Sequence, residues 1–225
     1  MENIKKPKPT PADFEKRRLY NTKFQEGIVT DEENFDYLDF MNSIDWSPEL
    51  FEENGKCGLK TALGEMILPP VYDDMSLPYE VNKGDRIVAL KDGKCGIVIA
   101  DTKGTWLIKP EFDYIGYPNT LTHVCKDGKW GVLNIATGEY LIPLECDKVF
   151  SEGGYLFVNG IGTFEKDGKI GVITQYGAFT QPIFDEVEFD DEAPVKVKFN
   201  GEWGYINEEN QFTKDEEEAC YFYEM

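Results

Sequence analysis

Lys126-Asp127-Gly128-Lys129-Trp130-Gly131-Val132-Leu133 sets the reading of the whole chain. Its Asp-Gly pair is a strong hairpin signal, because both central positions of a type I′ turn need positive φ. The residues after the turn alternate apolar, glycine, apolar, as a strand with one buried face does. The phrase recurs around Asn54-Gly55, Asp92-Gly93, Asp167-Gly168 and Asn200-Gly201. The turn glycines at 55, 93, 128, 168 and 201 are thus 38, 35, 40 and 33 residues apart, a period that marks a tandem-repeat architecture.

Equivalent positions can be read down the copies. Three residues before each Asn or Asp stand Phe51, Ala89, Val124, Phe164 and Val197, all apolar and expected to face the core. The first slot after the turn holds Cys57, Cys95, Trp130, Ile170 and Trp203. Gly58, Gly96, Gly131, Gly171 and Gly204 follow, and then Leu59, Ile97, Val132, Val172 and Tyr205. Glycine fixed at one slot of a strand predicts close approach of a backbone or an aromatic ring. A second turn carries Gly64, Gly104, Gly138, Gly177 and, in the fifth copy, Asn210, the best substitute at a left-handed position. A third strand then reaches Pro69, Pro110, Pro143 and Pro182, which are expected to mark a strand end or an edge. An aspartate recurs next, at 73, 113, 147 and 185, followed by a brief alternating piece that could form a fourth strand. The fifth copy lacks the Pro and Asp slots and runs into Lys214-Asp215-Glu216-Glu217-Glu218.

The landmarks Gly128-Lys129-Trp130-Gly131-Val132-Leu133, Gly138, Ile142-Pro143 and Asp147 resemble the WG (KWG) repeat, a bacterial repeat family, across roughly residues 49–213. Only Trp130 and Trp203 keep the tryptophan. The resemblance implies an all-β repeat array that binds proteins and implies no activity. The fold class expected is therefore all-β, a tandem array of antiparallel hairpins, either a twisted open array or propeller-like, with a short helical N-terminal extension. Residues 1–48 form that extension. The repeats are placed at about 49–84, 85–119, 120–158, 159–192 and 193–225, the last truncated.

In the extension, residues 1–10 read as frayed. Thr10-Pro11-Ala12-Asp13 reads as a helix start and Gly27 as its stop. Thr30-Asp31-Glu32-Glu33 matches a capping box. Phe35, Leu38, Met41 and Ile44 make an apolar stripe expected to cover the open end of the first repeat.

Charge separates function classes. With 23 basic and 43 acidic residues the net charge is −20, which disfavours nucleic acid and favours basic protein partners. Residues 26–53 carry ten acids and no base. Such runs are either solvated helix faces or a docking surface. As partner-binding candidates they point to Asp31, Glu32, Glu33, Asp36 and Asp39; to Glu186, Glu188, Asp190, Asp191 and Glu192; and to Asp215, Glu216, Glu217 and Glu218.

No catalytic constellation stands out. The single histidine, His123, reads as a surface or half-buried strand residue. The cysteines at 57 and 95 occupy the tryptophan slot and read as small hydrophobes. The four aspartates could line up to bind cations, but turn-making is the simpler role. No metal, cofactor or membrane segment is expected, and without an export signal the expected compartment is the cytoplasm. Three functions are ranked. The first is a non-enzymatic cytoplasmic immunity protein that binds and neutralises a basic bacterial toxin, nucleic-acid-targeting toxins being one such class. The second is a general scaffold or adaptor. The third is a carboxylate-dependent hydrolase acting on carbohydrate.

Overall fold

The structure, a computed structural model, describes residues 6–76, 81, 83–150, 154–157, 160–188, 194–207 and 209–219. Two helices, α1 (Pro11–Gln25) and α2 (Asp31–Ser43), precede five antiparallel sheets. The first sheet has the order β1 (Glu49–Glu53), β2 (Lys56–Lys60), β3 (Met66–Tyr72). The second runs β4 (Asp74–Met75), β5 (Arg86–Lys91), β6 (Lys94–Ile99), β7 (Trp106–Phe112). The third holds β8 (Tyr114–Ile115), β9 (Leu121–Lys126), β10 (Lys129–Asn134) and β11 (Glu139–Cys146). The fourth is built from β12 (Lys148–Phe150), β13 (Ile161–Lys166) and β14 (Lys169–Thr174). The fifth comprises β15 (Glu186–Glu188), β16 (Lys196–Phe199), β17 (Glu202–Ile206) and β18 (Phe212–Thr213). This is the all-β repeat array with N-terminal helices that the sequence implies. The chain divides into two compact units, Met1–Lys91 with Val98–Trp106, and Asp92–Ile97 with Leu107–Met225.

The hairpin corners have the backbone their residues demand. Asn54, Asp92, Asp127, Asp167 and Asn200 lie at φ between 51° and 53°, each followed by a positive-φ glycine. Asn210 takes the left-handed second turn at φ 60°. Both helices open with complete capping boxes, Thr10 with Asp13 and Thr30 with Glu33.

The glycine after the tryptophan slot has a concrete partner. Opposite Gly131 the third strand bulges: Trp130 pairs with Cys146 and Val132 with Ile142, so the partner strand carries two extra residues. A Cβ on Gly131 would lie 2.6 Å from the Ile142 carbonyl oxygen. The same shift occurs between Cys57–Tyr72 and Leu59–Leu68, and a Cβ on Gly58 would meet the Leu68 carbonyl and the Phe51 ring. Ile142 and Leu68 each precede a proline. Pro69, Pro110 and Pro143 therefore do not end their strands. They sit inside β3, β7 and β11, which are edge strands, where a missing N–H costs no ladder bond.

The recurrent aspartate carries the chain from one sheet to the next. The N–H groups of Asp73, Asp113, Asp147 and Asp185 donate to Leu90, Cys125, Glu165 and Lys198, all on the next repeat. The short strand that follows each aspartate, β4, β8, β12 or β15, then opens that next sheet. The side chain makes the same join. Asp73, Asp113, Asp147 and Asp185 each accept from the lysine of their own repeat: Lys56, Lys94 (2.5 Å), Lys129 (2.6 Å) and Lys169. The second oxygens of Asp113, Asp147 and Asp185 accept the turn N–H of Asp127, Asp167 and Gly201 in the following repeat. The aspartates are thus inter-repeat clips, not local turn-makers, and their carboxylates are engaged by lysine and backbone donors.

Apolar faces of successive sheets meet at these joins. In one unit Leu59, Leu68 and Tyr72 pack with Met75, Ile87, Ala89 and Val98. In the other, Val132, Ile142 and Cys146 pack with Val149, Phe164 and Ile173. Val172 and Phe184 likewise pack with Val197 and Ile206. The slot before the turn is buried at Ala89, Val124, Phe164 and Val197, as its apolar character predicts. The tryptophan slot is only half-buried at Cys57, Cys95, Trp130 and Ile170, and Trp203 is exposed. That slot tolerates Cys or Ile because little of the core rests on it.

Two substitutions test this account. Gly131→Ala forces a methyl against a bulged backbone and is expected to cost about 1–3 kcal/mol, read from urea unfolding. Lys129 and the Asp167 N–H hold the Asp147 carboxyl below its ordinary pKa, so its stabilisation is present above the carboxylate range and lost as pH falls through the folded pKa. Asp147→Asn should therefore lower the melting temperature at neutral pH, and its gap from the wild type should close in acid.

Candidate partner-binding surface

The N-terminal helices are tied down by a few large contacts. Tyr20 stacks on Tyr37 at 3.6 Å, its hydroxyl donates to Asn34, and Lys23 pairs with Glu33. Trp46 is buried, meets Phe14 and Phe40 edge-on, and donates its indole N–H to the Met41 carbonyl. Residues 7–9 are docked, not frayed. Asp45 donates its N–H to Pro7, Lys8 pairs with Asp45, and Pro9 is buried.

This arrangement corrects the expected cap. Ile44 is buried, but Phe35 is 72% exposed and Leu38 49%. At 100° per residue Tyr37 and Phe40 share one face of α2, which the C-cap Ile44 continues, while Phe35 and Leu38 stand on the other. The inner stripe is the one with step i, i+3, i+7; the sequence reading followed a neighbouring one.

The acidic candidates fall into three groups that differ in what they already do. On α2, Glu33 is engaged, closing its capping box and pairing with Lys23. Asp31, Glu32, Asp36 and Asp39 are exposed, with no hydrogen bond or ion pair among the described residues. In the fifth sheet Glu186 pairs with Lys198, and Glu188 faces Lys196 across the β15–β16 register. Asp190, Asp191 and Glu192 lie outside the described residues. Asp215 caps the 3-10 turn Glu216–Glu218 by accepting the Glu217 N–H, and Glu218 accepts from Thr213. Glu216 and Glu217 are exposed. The β15 and β18 groups stand at opposite edges of one sheet, with two strands between them, roughly 14 Å apart at ordinary strand spacing. The structure does not bring them together.

Sequence reasoning missed two grooves, both between second turns of successive repeats. One, of about 530 Å³, is lined by Glu65, Met66, Val81, Lys83, Asp101 and Lys103. The other, of about 320 Å³, is lined by Thr120, Asn134, Glu139, Tyr140, Gln175 and Tyr176. The recurring second-turn glycines at 64, 104, 138 and 177 were the available signal, since each groove is lined by residues beside two of them.

Among the described residues no group of three His, Cys, Asp or Glu side chains could hold a metal, and no helix is long and apolar enough to cross a membrane. Cys57, Cys95, Cys125 and Cys146 are free thiols. His123 corrects the sequence reading: it is 0% exposed, within 5.9 Å of the Trp130 ring and beside Tyr114, with neither ring nitrogen hydrogen-bonded among the described residues. Burial lowers its pKa to about 4.

Residues 58–95 and 99–130 match the family model described as WG containing repeat. No curated protein matches the sequence. Among solved structures the chain is similar to Kluyveromyces lactis Hsv2 at 12% identity and a TM-score of 0.35, covering 70% of this chain and 55% of that one. A HIRA fragment, 644–1017, matches at 9% identity and a TM-score of 0.28, with coverage of 56% and 41%. PorZ, a surface component of the type-IX secretion system of Porphyromonas gingivalis, matches at 16% and 0.30, with coverage of 71% and 25%. The chain spans between a quarter and just over half the length of these structures, and the scores are too low to carry an argument.

The histidine yields a prediction. The unfolded chain takes the proton more readily than the folded one, so stability is full above the ordinary histidine pKa and falls as pH drops from 6.5 towards about 4. His123→Leu should gain about 2 kcal/mol on the wild type between pH 7 and pH 5, measured by urea unfolding at both.

Proposed function

The chain is a WG-repeat protein, and we propose that it acts by binding a basic protein partner, without catalysis. The finer reading is a cytoplasmic immunity protein that covers the active surface of a basic, nucleic-acid-targeting bacterial toxin. The observation that carries the binding reading is charge left unsatisfied after folding. Among the described repeat residues, Lys94, Lys129, Lys166, Lys169, Lys198 and Lys214 each pair with an acid of the fold. The acids of α2 other than Glu33 have no such partner. An acidic inhibitor would be steered to a basic target and would keep its distance from that target's nucleic acid.

Affinity purification with the full chain from its native host tests this. One basic protein should be retained in one-to-one stoichiometry at about 10 mM salt, with binding markedly weakened at about 150 mM, where the Debye length shrinks from about 30 to about 8 Å. Capture of many proteins at low stoichiometry would favour the scaffold reading. Retention indifferent to salt would count against electrostatic recognition. For the immunity reading, the captured protein should cut or modify nucleic acid, and adding the chain should stop it.

A further inference from the structure

We infer that the outer face of α2 is a docking surface for a lysine- or arginine-rich segment that also carries apolar side chains; this deepens the binding reading above and rests on it. Phe35 and Leu38 lie one turn apart on that face, exposed, while the opposite face of the helix supplies the contacts that hold it: Tyr37 on Tyr20, and Phe40 on Trp46. The folded chain therefore does not need the outer pair for packing.

The surroundings say what would cover it. Asp31 and Asp39 stand one turn before and after Phe35, and Glu32 and Asp36 follow on the adjoining side. No lysine or arginine occurs between residues 24 and 55. The bases of neighbouring α1 are occupied elsewhere. Lys16 sits over the Phe40 ring, Arg17 over Trp46, Arg18 pairs with Glu15, and Lys23 with Glu33. Acids flank Phe35 and have no ion pair among the described residues, while Leu38 adjoins Asn34 and Asn42; the face matches a ligand with apolar anchors and a positive flank. An anionic lipid surface or a nucleic acid would be repelled by the same acids.

The test uses the full chain and a synthetic helical peptide of leucine and lysine with one apolar and one basic face. Two controls replace lysine by glutamate, or leucine by serine. The leucine–lysine peptide should bind, and both controls should bind far more weakly. Phe35→Ala with Leu38→Ala should lower its affinity about fivefold or more, as should Asp36→Asn with Asp39→Asn, with melting temperatures unchanged because these side chains are exposed. Glu216→Gln with Glu217→Gln, in the other acidic group, should leave the affinity unchanged. Equal loss in all three double variants would mean diffuse charge attraction and overturn the assignment. So would undiminished binding in the Phe35/Leu38 variant. If the variant still captures the host's basic partner at wild-type strength, the binding reading stands and this surface falls; if the wild type captures none, the broader reading falls.

Discussion

The array depends on the aspartate at each crossover. Two sheets that meet face to face are held by apolar burial, which has no direction and would tolerate sliding. The crossover removes that freedom. At Asp147 the backbone N–H fixes the chain to Glu165, one side-chain oxygen takes Lys129, and the other takes the Asp167 N–H. Three groups from two consecutive repeats converge on one residue, and the β12 strand that follows has its register set before it begins. A second pair reinforces two of the junctions, Lys126 with Glu111 and Lys166 with Glu145, again between the end of one repeat and the turn of the next. These charges are exposed, so their contribution is specificity of alignment more than stability.

Seen this way, the repeated phrase is a set of obligations. The Asn/Asp-Gly corner supplies the turn N–H that the preceding aspartate accepts. The lysine after the corner reaches forward to the aspartate ending its own repeat. The glycine makes room for the carbonyl before proline, as at Gly131 and Ile142. Tryptophan alone among the landmarks has no partner that only it could satisfy, which is why Cys57, Cys95 and Ile170 can stand in its place. The fifth copy changes the terms: Glu202 occupies the lysine position and pairs with Lys214 beyond β18, so the ion pair survives with its signs exchanged.

What could be read from sequence was local. Asn-Gly and Asp-Gly corners, the helix start at Thr10, the capping box at Thr30 and the left-handed Asn210 are each fixed by residues within four positions, and each is found as expected. The role of Asp113 was not legible, because its two side-chain partners, Lys94 and the Asp127 N–H, lie 19 and 14 residues away on different repeats. Of the two readings offered for the prolines, strand end or edge, the edge is the one found at Pro69, Pro110 and Pro143. Proline removes a donor, but an edge strand with a bulge does not use that donor. The burial of His123 without a partner could not be foreseen from one polar residue in an alternating strand. On α2 two apolar stripes share one helix, and periodicity alone cannot say which of them the protein buries; Trp46, eleven residues beyond Phe35, settles it by packing on Phe14 and Phe40.

The same contrast bears on where recognition resides. In the repeats, Lys56, Lys94, Lys129 and Lys169 are paired with the crossover aspartates, so those charges are already committed to holding neighbouring sheets. Glu186 and Asp215, both candidates from sequence, turn out to serve Lys198 and a 3-10 turn. A partner competing for those groups would have to displace contacts the fold uses. On α2 no such competition exists among the described residues: the cap uses Glu33, the inner face uses the aromatics, and Asp31, Glu32, Asp36 and Asp39 remain on the side of the uncovered Phe35. A surface can evolve towards a partner most freely where the fold makes no claim on it, and in this protein that condition is met outside the repeats.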